Sequence, residues 1–119
     1  TDLISCKPKK IFENIKYIVA GGYNMAVITE KNDLYLWGDN TYGQLGNGKK
    51  DGWYFGDSDK ECWFKPKKVM KDVAAVHMGS GEIIVTRMDG SKWATGIGFG
   101  NERSESGKKV STRFVMISK

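Results

Sequence analysis

The run Leu34-Tyr35-Leu36-Trp37-Gly38-Asp39-Asn40-Thr41-Tyr42-Gly43-Gln44-Leu45-Gly46-Asn47-Gly48 decides how the chain reads. Large side chains at Leu34, Leu36 and Trp37 suit a half-buried strand, and they stop abruptly at a series of glycines. A backbone that visits positive φ several times needs those glycines, and Asp39 and Asn40 tolerate the same turn because they bond nearby backbone.

Working outward, the flanking residues recur at one spacing. Pro8 returns as Pro66 (66 − 8 = 58), and at the same offset Gly21 meets Gly79, Val27 meets Val85, Asn32 meets Gly90, Tyr35 meets Trp93 and Gly38 meets Gly96. Lys7-Pro8-Lys9-Lys10 reappears as Lys65-Pro66-Lys67-Lys68. A fixed period of this length signals stacked supersecondary units, none of which buries its own faces alone.

The opening stretch, with its Leu-Tyr-x-Trp-Gly strand and Gly-Gln-Leu-Gly turn, resembles the regulator of chromosome condensation repeat family. That resemblance runs from about Lys7 to Ile117 and implies β-propeller blades. It is close in the first unit and degraded in the second, where Gly98-Phe99-Gly100-Asn101 replaces the Asn-Thr-Tyr-Gly turn and no Gly-Gln-Leu-Gly follows. At the family's usual histidine position stand Asn24 and Glu82.

The expected fold is all-β: two four-stranded antiparallel blades, a partial propeller or one completed by self-assembly. Residues 1–119 form one repeat-containing domain, with unit one at about 7–64 and unit two at about 65–117. Expected strands are Lys7–Phe12, Ile15–Ala20, Met25–Thr29, Leu34–Trp37, then Lys67–Met70, Val73–His77, Ile83–Thr86, Lys92–Thr95 and Arg113–Ile117. Proline donates no ladder bond, so Lys7–Phe12 and Lys65–Met70 are expected at sheet edges. Ile15–Ala20 is apolar on both sides, as in a strand covered on both faces. Trp37 and Trp93 are expected to be buried against their sheets. Asp89-Gly90 is a strong hairpin signal, and no capped window carries helical spacing.

Composition excludes some classes of function and leaves others. With 39% hydrophobic residues, 15 glycines and no long apolar run in 119 residues, the sequence suits a turn-rich β chain without a membrane span. Nineteen basic against 14 acidic residues leave +5, spread as lysine pairs and triplets, which favours a solvated surface over a nucleic-acid footprint. Cys6 and Cys62 hold near-equivalent places in neighbouring units, too far apart for a disulfide and without metal-ligand spacing.

Catalysis is not expected, and no cofactor or metal is implied. The one histidine, His77, lies inside a strand and is expected to be packed, so no nucleophile triad can be built on it. Gly96-Ile97-Gly98-Phe99-Gly100 lacks the helix that a phosphate loop opens, and Asp57-Ser58-Asp59-Lys60-Glu61 lacks the glycine and distant glutamate of a calcium loop.

Binding is the expected role. Gly38 to Val69 spans 31 positions and Gly96 to Val115 only 19, so unit one carries about 12 extra residues, within Lys49–Lys65. They include Trp53, Tyr54, Phe55, Trp63 and Phe64, an aromatic set among charges of the kind that forms interface anchors. Strand parity places this insertion on one face with Gly21–Asn24 and Gly79–Glu82, and the Lys31–Asp33 and Asp89–Gly90 turns on the other. Candidate partner-binding residues are therefore Trp53, Tyr54, Phe55, Trp63, Tyr23 and Asn24, with another protein as the partner.

Alternatives are an architectural repeat of a larger secreted or cell-surface bacterial protein, glycan binding on open aromatic rings, and a guanine-nucleotide exchange factor-like regulator, which the resemblance implies. Two blades leave broad sheet faces bearing Ile18, Val27, Ile84 and Val85. The chain is therefore expected to self-associate or to lie beside further propeller blades.

Overall fold

The computed structural model describes residues 12–48, 53–54, 68–103 and 107–119. Nine strands follow one another: β1 (Ile15–Gly21), β2 (Asn24–Thr29), β3 (Leu34–Asp39), β4 (Trp53–Tyr54), β5 (Lys68–Met70), β6 (Val73–Met78), β7 (Glu82–Arg87), β8 (Lys92–Arg103) and β9 (Lys109–Ser118). They make two antiparallel sheets. In the first, the order is β1-β2-β3, and the fourth position is shared by β4 and β5, both paired with β3. In the second, the order is β6-β7-β8-β9. No helix occurs among the described residues.

The 58-residue register holds at the level of single hydrogen bonds. Thr29 N bonds Asp33 O at 3.0 Å and Arg87 N bonds Ser91 O at 2.9 Å; Glu30 N bonds Asn14 O and Met88 N bonds Asp72 O, both at 2.7 Å. Backbone angles follow it too. Asn14 and Asp72 have φ of 55° and 58°, and Asn32 and Gly90 have 67° and 88°. Asparagine, aspartate and glycine are the residues that enter this region at least cost, which is why each stands there.

Gly38 and Gly96 show why glycine ends β3 and interrupts β8. Their φ values are 117° and 98°. A Cβ on Gly38 would lie 2.3 Å from the Tyr23 carbonyl oxygen, and one on Gly96 2.1 Å from that of Gly81. Only a hydrogen fits.

The sheet boundary lies between Met70 and Val73. Lys68–Met70, which opens the second sequence unit, pairs with Tyr35 and Leu34 and so closes the first sheet at its edge. Lys7–Ile11 lie outside the described residues. Phe12, one period before Met70, packs edge-on against Tyr35 at 5.0 Å and stacks on Trp37 at 6.1 Å.

Paired residues share a face, so the registers assign each sheet two sides. Val19, Ala26, Ile28, Leu34 and Leu36 point from the first sheet toward the second, which returns Val76, Met78, Ile83 and Val85. This is the core, and Val73, Leu45 and Phe114 complete it. The opposite side of the first sheet carries Ile15, Ile18, Met25, Val27, Tyr35 and Trp37.

Several expectations need correction. Strand β1 is not covered on both sides: Ile18 is 62% exposed, and Ile15 is exposed with it. Among the described residues no sheet lies on that outer side, and β1 is an edge strand. Trp37 and Trp93 are half-buried, one under Phe12 and the other donating its indole N–H to Ser91 Oγ at 3.0 Å. His77 is exposed rather than packed, because it alternates away from the core side occupied by Val76 and Met78. Of the four residues expected on open faces, only Ile18 is exposed; Val27 and Val85 are buried and Ile84 is half-buried.

Candidate protein-binding face

The Gly-rich segment after β3 is built around three buried amides, Asn24, Asn40 and Gln44. Asn24 donates its side-chain N–H to the Asp39 carbonyl at 2.8 Å, and its Oδ1 accepts from Gln44 Nε2 at 3.4 Å. Gln44 Oε1 in turn accepts from the Tyr42 N–H at 2.9 Å. Asn40 Oδ1 takes the Leu45 N–H at 3.0 Å, and Asn40 Nδ2 donates to Asn47 Oδ1 at 2.9 Å. Asp39 Oδ1 accepts from both the N–H and the hydroxyl of Thr41. Buried amides that satisfy each other and the backbone hold a loop in one shape, because any other shape would strand them.

That loop reaches across to the second sheet. Leu45 enters the common core, Thr95 Oγ1 donates to the Gly43 carbonyl at 2.7 Å, and Gly48 N bonds Thr112 O at 2.7 Å. Gly43 lies so close to Thr112 that a Cβ would approach its Cα to 2.8 Å. The Gly-Gln-Leu-Gly sequence therefore works as a latch between sheets. The sequence marked it as a turn and did not reveal the contact, since Thr95, Ser111 and Thr112 carry no motif.

Around the latch, three segments gather at one end of the molecule. The β1–β2 turn rests on the β6–β7 turn, where a Cβ on Gly22 would meet the Gly79 carbonyl oxygen at 2.9 Å. Tyr42 leans over Gly81, and Lys108 Nζ sits 5.7 Å from the Tyr42 ring centroid. A cation over an aromatic face is a favourable contact, and here it joins the β3 loop to the β8–β9 hairpin. Tyr23 stands in the open at this end, 66% exposed, with Thr41, Ser80 and Gly98 also exposed. The Asn32 and Asp89-Gly90 turns lie at the other ends of the same strands.

The candidate residues thus divide. Tyr23 faces solvent. Asn24, 4% exposed, supports the loop from within. Trp53 and Tyr54 form β4, opposite Asp39 and Gly38, at the same end as the turns. Phe55 and Trp63 lie outside the described residues, as do Asp57–Glu61. No group of three His, Cys, Asp or Glu side chains able to hold a metal ion is found among the described residues.

The insertion does something the sequence did not disclose. Residue 54 pairs with Gly38 and residue 68 with Tyr35, only three places along β3, yet 13 residues separate them (55 to 67). In the second sheet β9 runs past the same positions, from Ser111 opposite Gly96 to Met116 opposite Trp93. The outermost position of the first sheet is therefore held by two short strands, β4 and β5, where β9 alone holds it in the second.

Two stacked antiparallel blades latched by a glycine-rich loop define a class, the propeller-type repeat protein. Two family models of the Regulator of chromosome condensation (RCC1) repeat match, one over residues 31–83 and one over 15–44. The chain belongs to that repeat family.

Relatives share short stretches. Ras guanine nucleotide exchange factor C of Dictyostelium discoideum is 44% identical over 45 residues, 37% of this chain and 3% of that protein. Human Alsin is 43% identical over 35 residues, 29% of this chain and 2% of its own length. Among solved structures, yeast RCC1 (Prp20) bound to Kap60 superposes with a TM-score of 0.63 at 18% identity, over 87% of this chain and 26% of that one. Prp20p from Saccharomyces cerevisiae, in a structure reported with its binding properties to Gsp1p and histones, gives 0.61 at 20% identity, with the same coverage. This chain therefore spans about a quarter of the solved relatives and a few per cent of the curated ones. At that identity the superpositions show the fold.

Proposed function

We propose that this chain is a protein-binding repeat module that meets its partner with the turns and loops of one end. The observation that carries the reading is the convergence of two blade turns, the latched loop and β4 at that end, with Tyr23 open beside them. Exposed tyrosine on a rigid support is a favoured contact residue, because it brings large area at small entropic cost. Trp53, Tyr54, Phe55 and Trp63 add to it from the insertion. The work is recognition, with no bond made or broken.

A photocrosslinking amino acid at position 23 tests this in cells, with one at Met88, an exposed residue near the opposite turns, as control. The expected result is a discrete protein adduct from position 23 that excess parent chain suppresses, and none from 88. Adducts from both sites alike, or from neither, would favour an architectural repeat.

A second reading, an exchange factor-like regulator of a small GTPase, is supported by the 44% identity to Ras guanine nucleotide exchange factor C. It requires faster nucleotide release from a small GTPase in the presence of this chain. The outer side of the first sheet, with Ile15 and Ile18 exposed, supports a further assignment: a sheet of the same kind covers it, from a longer chain or from a second copy.

A further inference from the structure

We propose that Asn47-Gly48 is a self-modifying site: Asn47 loses its side-chain amide to attack by the Gly48 nitrogen when the latch opens, and the closed latch holds that reaction back. Of the six asparagines, only Asn47 is followed by glycine. Glycine has no Cβ to crowd its own nitrogen, so it is the neighbour whose nitrogen most easily reaches a preceding side-chain carbonyl. Both residues are exposed, and water reaches the pair.

One reactant is primed and the other withheld. Asn47 Oδ1 accepts from Asn40 Nδ2 at 2.9 Å, and Asn40 is itself buried, with its Oδ1 on the Leu45 N–H. A fixed donor on that oxygen stabilises the negative charge that builds there when Cγ is attacked. The Gly48 N–H, by contrast, is committed to Thr112 O at 2.7 Å on the second sheet. That bond keeps the proton on nitrogen and the nitrogen aimed at β9. Only when the loop comes away from Thr95 and Thr112 is the nucleophile released.

The step balances with water alone. Solvent hydroxide removes the Gly48 amide proton, the nitrogen bonds to Asn47 Cγ, and Nδ2 departs as ammonia after taking a proton from water. Water then adds to either carbonyl of the succinimide ring and breaks that carbonyl's bond to nitrogen, leaving aspartate or isoaspartate. Aspartate keeps an acceptor for Asn40 Nδ2. Isoaspartate puts one more carbon into the backbone, between the Asn40 contact and the Gly48–Thr112 bond, so that product no longer closes the latch.

The test incubates the 119-residue chain at mildly alkaline pH, in urea below its unfolding transition and in urea that unfolds it. Peptide mapping by mass spectrometry follows amide-to-acid conversion at Asn47, with Asn40, which precedes Thr41, as internal control. Hydrogen exchange follows the Gly48 amide in the same samples. Asn47 should convert before Asn40 throughout, and about tenfold or more slowly in the native chain than in the unfolded one. Its native rate should change in proportion to Gly48 exchange, since one opening limits both. Equal rates in native and unfolded chain, no native conversion while Gly48 exchanges, or rates that do not follow Gly48 would each overturn the proposal. The variant Asn47→Asp should keep the parent's Gly48 protection, and the isoaspartyl fraction of aged chain should lose it. Equal protection in the two would overturn the release of the latch.

Discussion

The two sheets are one design used twice, with different outcomes at their rims and faces. Turns, bulges and positive-φ sites coincide at 58 residues, down to the paired irregularities at Ile15/Tyr17 and Val73/Ala75. Yet the first sheet offers leucines to its neighbour and extends a latch, while the second carries lysine and threonine beside Ile84, Ala94 and Val115 on the corresponding side and pairs Arg103 back with Lys109. The difference shows that backbone geometry and face chemistry separate cleanly. Turn residues keep the blade's shape, and alternating side chains decide what the blade touches.

The sharpest way to break that comparison is to truncate register partners. Leu34→Ala should cost about 2–5 kcal/mol, since a fully buried leucine leaves a cavity between sheets. Lys92→Ala, at the equivalent place, should stay within about 0.5 kcal/mol of the parent. Equal losses in urea melts would mean that both faces are covered. Gly38→Ala and Gly96→Ala come next and should behave alike, each losing roughly 1–3 kcal/mol from a strained φ and a carbonyl clash. A loss at only one of them would show that the blades are not geometrically equivalent.

Gln44→Ala removes partners from the Tyr42 N–H and from Asn24, for about 1–3 kcal/mol, and should loosen the latch. Hydrogen exchange would report it as faster exchange at Gly48, whose amide bonds the second sheet. If Gly48 keeps its protection, the latch does not depend on the amides.

The smallest effect lies in the turn of the second sheet. Asp89 has its carboxyl held below the usual carboxylate range, chiefly by the Ser91 hydroxyl and then by the Ser91 N–H. A lowered folded-state pKa stabilises the ionised form. That contribution is present above the ordinary aspartate pKa and is lost as pH falls through the folded one. Asp89→Asn should therefore melt slightly below the parent at about pH 6 and converge with it near pH 2. A gap that persists at acid pH would trace the effect to turn geometry rather than charge.

By itself the sequence determined the repeat, its period and most strands. Gly38, Gly96, Asn32, Gly90 and the alternation Leu34–Trp37 act through local sterics and pleat, which nearby residues reveal. It also marked Tyr23 as exposed turn and the Trp53–Trp63 region as extra. Tertiary structure alone decided which sheet Lys68–Met70 joins, because strand pairing is a long-range choice that a short basic segment does not announce. It decided that Asn24 is a buried brace, since an amide's role depends on partners 15 and 20 positions away, Asp39 and Gln44. It decided that β4 and β5 share the outer position beside β3, because composition marks extra residues without marking which of their neighbours pair with a sheet. Above all it set the burial of β1, His77 and the two tryptophans. An apolar strand states that something could cover it, and only packing shows which side is covered.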